Sequence, residues 1–167
     1  MTEEERKLNP YQVNQVLIFE SSSGQIDSLF ITEILDNVFP DGPTPLDFYE
    51  QSLRVYASEK LDGGRKIIDI SASTSETPTK FEINCFFNDV HLSHWEKSAE
   101  EILSYPQTTI ITKAGTFNDV IGIEQITESD KNESVSRFYW SHSNGFVRLE
   151  KDSISWDLIN KYIPKKL

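Results

Sequence analysis

Cysteine is nearly absent: Cys85 is the only one in 167 residues. No internal disulfide can form, no cysteine-rich metal cluster can be built, and the redox compartment is left open. Bases are also scarce. Sixteen Lys and Arg stand against 27 Asp and Glu, for a formal net charge of −11. A surface of that sign repels phosphate backbones and anionic bilayers, so nucleic-acid binding is disfavoured. No apolar run is long enough to form a membrane-spanning helix, and the opening MTEEERKL is acidic and lacks the apolar stretch of a signal peptide. The chain therefore reads as cytosolic or as the mature form of an exported protein. There is no glycine-flanked serine elbow, and Gly63-Gly64 lacks the Lys and Ser of a phosphate loop. A hairpin turn accounts for that glycine pair better.

Aromatic residues are plentiful, with ten Phe, six Tyr and three Trp. They offset a modest apolar fraction, because each ring buries a large area, and they favour strands. The length suits one domain with a core of its own. Residues 1–10 lack periodicity and read as a tether, 11–163 as a single β-rich domain, and 164–167 as a basic tail; Lys161, Lys165 and Lys166 read as solvated, with folding back onto the acidic N-terminal half as the alternative.

Period-two alternation recurs along the chain. Val13–Glu20 and Asp27–Ile34 read as a hairpin. The proline-rich stretch 37–49 reads as loop. Gln51–Lys60 places Leu53, Val55 and Ala57 on one face, with Arg54, Tyr56 and Ser58 on the other. After a turn at 62–64, Ile68 and Ile70 face inward, and 71–79 reads as a polar loop. Phe81, Ile83 and Cys85 then alternate with Glu82, Asn84 and Phe86. The spacing predicts one short helix over 93–104, with Ser93 as N-cap, Glu96 three residues on, and a stripe of Trp95, Ala99, Ile102 and Leu103. Strands at Thr108–Lys113 and Asp119–Ile126 follow, then a polar loop at 128–134, then FYWSHSNGFVRLEKDSISW (138–156). About ten strands with short links predict a mainly β fold: an antiparallel meander forming a curved sheet, open barrel or sandwich.

Few residues carry a chemical signature. His91 and His94, with Glu96 nearby, could ligate zinc if the segment were helical from its start, but His142 is far away in sequence, and neither a metal nor a cofactor is expected. Cys85 on an alternating strand reads as an inert core thiol. No catalytic residues are assigned. The expected partner surface is Tyr139, Trp140, His142 and Arg148, with His91 and His94 added. Phe138 and Trp140 share one strand face while Tyr139 takes the other, so one set must point outward.

GTFNDVIGIE (115–124), RFYWSHSNGFVRLE (137–150) and SISWDLI (153–159) together resemble the ending of small exported or lipoprotein-type β-rich domains of Bacteroidetes, mainly over residues 108–159. The sequence departs from that pattern at Lys151-Asp152-Ser153, where a glycine turn is frequent, and in having no leader or lipid-bearing cysteine. The resemblance implies an envelope-type β domain with no assigned activity. The expected function is a non-enzymatic binding or accessory domain, associated with the bacterial periplasm or cell envelope if a leader was removed. The alternatives are an acidic immunity-type protein that neutralises a toxin with a basic surface, and a hydrolase whose site is assembled across the sheet. The expected partner is a protein; the sequence does not fix the oligomeric state.

Overall fold

Short links between alternating segments leave antiparallel pairing as the natural solution, and the chain adopts it throughout. The computed structural model describes residues 1–40, 49–58, 66–73, 79–88, 90–129 and 132–165. Its elements are α1 (Glu3–Arg6), β1 (Val16–Ser21), β2 (Ile26–Pro40), β3 (Tyr49–Ser58), β4 (Lys66–Ser73), β5 (Lys80–Phe87), β6 (Val90–Ser98), α2 (Ala99–Ser104), β7 (Gln107–Thr112), β8 (Gly115–Ser129), β9 (Asn132–Ser141), β10 (Gly145–Lys151) and β11 (Ile154–Tyr162). All eleven strands belong to one antiparallel sheet in the order β6-β5-β4-β3-β2-β1-β11-β10-β9-β8-β7. The first and last strands pair at its centre, Phe19 opposite Leu158, and two meanders fan outward from them. Register shifts on six of the ten ladders bend the strands. The sheet curls into a half-barrel whose edge strand β6 approaches β9 and β10.

The concave face holds the core. On β5 the buried residues are Phe81, Ile83, Cys85 and Phe87, alternating as the sequence predicts. Leu17 and Phe19 of β1 and Phe138 and Trp140 of β9 face the same interior. Below α2, Leu8, Phe81, Trp95, Ile102 and Trp140 converge on a cavity of about 10 Å³. That is at the lower limit for a single water.

Several expectations need correction. The helix N-cap lies five residues later than predicted, at Ser98 instead of Ser93. Ser93–Glu96 and Ser98–Glu101 are both Ser-x-x-Glu boxes, and the chain uses the second: Ser98 accepts from the Glu101 amide at 3.2 Å, and Glu101 accepts from the Ser98 amide at 2.8 Å. The first box lies on β6, where pairing of Ile83 with Trp95 and of Phe81 with Lys97 outweighs helix propensity. Of the expected stripe, Ile102 is buried but Leu103 is exposed. The N-terminal ten residues are not a featureless tether. Thr2 and Glu5 form another capping box around α1, and Leu8 enters the core. Strand replaces expected loop at 37–40, 71–73, 128–129 and 132–134. The glycine turn at 62–64 lies outside the described residues. Tyr56 and Ser58, expected outside, are buried. Lys161 lies on β11, not on a solvated tail.

Candidate functional site

The antiparallel connectivity sorts the turns to two ends of the half-barrel. At one end lies the β9–β10 turn, beside Asp119, Tyr11 and Lys161. Ser141 pairs with Gly145, leaving His142, Ser143 and Asn144 as a three-residue loop, and Gly145 sits at φ 80°. The Asp119 carboxylate accepts from Ser141 Oγ at 2.6 Å, and from the Ser143 amide and hydroxyl at 2.9 and 2.6 Å. The His142 amide donates to the Asp119 carbonyl at 3.2 Å. Asn144 Nδ2 donates to both serine hydroxyls, and its Oδ1 accepts from Lys161 Nζ. Partial burial pushes the Asp119 carboxyl up, but the hydrogen bonds from Ser141 and Ser143 outweigh it and hold it below its ordinary range. His142 and Lys161 are both lowered by burial, with Asp119 opposing.

Serine, histidine and aspartate thus meet here, but not in the order that activates a hydroxyl. A triad needs the imidazole between the serine and the carboxylate. In this turn the carboxylate takes both serine hydroxyls itself, and His142 Nε2 is buried without a hydrogen-bond partner. The geometry clamps the turn to β8. Tyr11 completes the clamp: its hydroxyl accepts from the buried Phe146 amide at 3.0 Å, and its ring stands edge-on to Trp140 at 5.7 Å.

Trp140 is therefore no surface platform. It is 3% exposed and packs edge-to-face on Phe146 at 4.9 Å. Tyr139, one residue earlier on the pleat, faces the other side together with Arg148 in the next strand. Their polar groups are engaged. Tyr139 donates to Glu150 at 3.3 Å, and Arg148 makes a two-pronged pair with Asp157, with Nη2 at 3.0 Å. The Asp157 hydrogen bond raises the Arg148 pKa, while burial and then Glu150 raise that of Tyr139. His142 stands at the strand end and does not join this row. His91 and His94 lie on β6 instead of a helix, so their three-residue spacing does not stack them on one helical face; their side chains lie outside the described residues. Among the described residues, no group of three or more His, Cys, Asp and Glu is placed to hold a metal. Cys85 is buried, and burial pushes its thiol pKa up.

The opposite end is open. The turns β1–β2, β5–β6 and β10–β11 surround a cleft of about 540 Å³ lined by Ser21, Ser23, Gln25, Asn88, Val90, Lys151, Asp152, Ser153, Ile154 and Trp156. Each turn contains one residue in the left-handed region: Gly24 at φ 86°, Asn88 at 52° and Asp152 at 54°. These tight reversals draw the rim together while the side chains remain polar. Ser21 Oγ lies 2.9 Å from Ser23 Oγ and accepts from the Gln25 amide at 2.9 Å. The floor is apolar: Trp156 meets Phe87 edge-on at 5.1 Å, and Phe87 leans on Phe19. Ile154 stands at the rim, 49% exposed.

Sequence reading missed this cleft because its lining comes from three hairpins far apart in the chain. It also missed the clamp, whose single signal was the pairing of FNDV with SHSNG. Comparison with protein families, with curated proteins and with solved structures returns no match.

Proposed function

We propose that this protein is a non-enzymatic binding domain that engages a protein partner at the open end of its half-barrel. The observation that carries the reading is the 540 Å³ cleft. Hydroxyls, amides and one charge of each sign converge there beside Trp156, with room for a side chain of the partner. The net charge of −11 supports a partner with a basic surface. Association with the bacterial cell envelope is part of the same proposal, and a leader encoded upstream in the genomic sequence would support it.

The test uses the intact protein with Ser153→Trp, which fills the cleft from an exposed turn. The wild type captures a basic protein from native lysate at low salt and loses it as salt screens the charges. Ser153→Trp fails to capture it while melting at the wild-type temperature. Equal capture by both proteins would remove the cleft from the proposal. Hydrolytic turnover abolished by Ser141→Ala would overturn the non-enzymatic reading.

A further inference from the structure

We infer that β7 is a docking edge for a second copy of this chain, added antiparallel across a two-fold axis. Among the described residues, β7 ends the strand order, bonded to β8 on one side and to no strand on the other. The other terminal strand is not equivalent. Curling brings β6 against β9 and β10 and β7 against β11, so the difference lies in sequence: β6 carries Glu96 and Lys97, charges of the kind that keep an edge from pairing. β7 reads QTTIIT, with no charge, no proline and five consecutive β-branched residues. Gln107, Thr108 and Thr109 are exposed, and Ile111 is 69% exposed. Uncharged, β-branched edges recruit further strands, here beyond the register shift between Thr108 and Ile110.

Charge selects the occupant. Helix α2, with Glu100 and Glu101 exposed, precedes β7, and Lys113, 70% exposed and also reaching Glu20, follows it. Antiparallel self-addition sets the basic end of each strand beside the acidic end of the other, whereas parallel addition sets like beside like. On a molecule of charge −11, an uncharged strip is also where two copies meet with least repulsion. Because both copies contribute the same strand, assembly closes at two. A six-residue strand from each copy falls well short of the about 1,200 Å² of a stable interface, so the dimer is weak. None of this rests on the cleft.

Sedimentation equilibrium over a range of protein and salt concentrations tests it, with amide exchange as a map. The expected result is a reversible dimer that slows exchange at 107–112. Ile111→Lys puts two like charges near the axis and lowers the association constant about tenfold or more, while the monomer melts unchanged. A monomer at every concentration overturns the inference. So does a dimer unaffected by Ile111→Lys or without protection at 107–112. A monomer whose edge takes a strand from a different protein also overturns it, and assigns β7 to that partner.

Discussion

Replacing Gly145 by alanine tests the clamp at the closed end of the half-barrel. Gly145 needs to be glycine for two separable reasons. Its φ of 80° lies in the left-handed region, which costs an L-residue with a Cβ about 1–2 kcal/mol. An added Cβ would also overlap the Tyr11 ring at Oη and Cζ. That ring cannot retreat cheaply, because it is 4% exposed and wedged against Trp140. If it moves, the Phe146 amide loses its acceptor, and a buried unsatisfied N–H costs about 1–3 kcal/mol. Together the two effects destabilise by about 2–5 kcal/mol, or at least several degrees in melting temperature for a chain of this size. Urea titration of Gly145→Ala, Tyr11→Ala and the double variant separates them. Without the Tyr11 ring, Gly145→Ala should cost only the backbone strain, so the pair couples by at least about 1 kcal/mol. Tyr11→Phe supplies a milder check, since it removes the hydroxyl alone and should cost about 1–3 kcal/mol. Equal costs for Gly145→Ala in both backgrounds, with unchanged denaturant slopes, would refute the reasoning.

Asp119 and His142 both have lowered pKa values in the folded state, so the unfolded chain takes up protons first as the solution is acidified. Their contribution is fully present above the unfolded pKa values and is lost as pH falls through the folded ones. Stability should therefore decline on acidification, first across the histidine range and then across the carboxylate range; Asp119→Asn should flatten the second limb and cost about 1–3 kcal/mol at neutral pH, as read by thermal melts at stepped pH. A variant with an unaltered acid limb would mean that the Asp119 hydrogen bonds do not depend on its charge. Ser98→Ala should lower stability by about 0.5–2 kcal/mol through loss of the α2 cap, measured by urea titration. No loss would mean that α2 is held by Ile102 alone.

The class of fold was legible because its signal is local. Alternation on Phe81–Phe87 and on Leu53–Ala57 needs no knowledge of neighbours. The helix start was ambiguous for an equally local reason. Two identical capping boxes stand five residues apart, and only the partner strand β5 decides between them. The orientation of β9 could not be read from parity alone, because Phe138 and Trp140 make one aromatic row and Tyr139 with Arg137 another plausible face. What settles it is Tyr11, more than a hundred residues upstream, which supplies an aromatic wall for Trp140 and none for Tyr139.

This long-range settlement also explains why the two ends of the sheet can differ so much in character. β1 and β11 pair at the centre, so the segment before β1 and the end of β11 both emerge at the closed end, where Tyr11 and Lys161 reach the β9–β10 turn. The hydrogen bonds that join different strands through Asp119, Asn144 and Tyr11 are thereby gathered at that end. The three described turns that line the open end are each tightened by one left-handed residue and otherwise present polar side chains. A site made of such turns can change its lining without disturbing the ladders that hold it. If the cleft binds as proposed, substitutions at Ser23, Gln25 or Ser153 should move binding with little effect on stability, whereas substitutions at Tyr11, Asp119 or Gly145 move stability first and binding only through it.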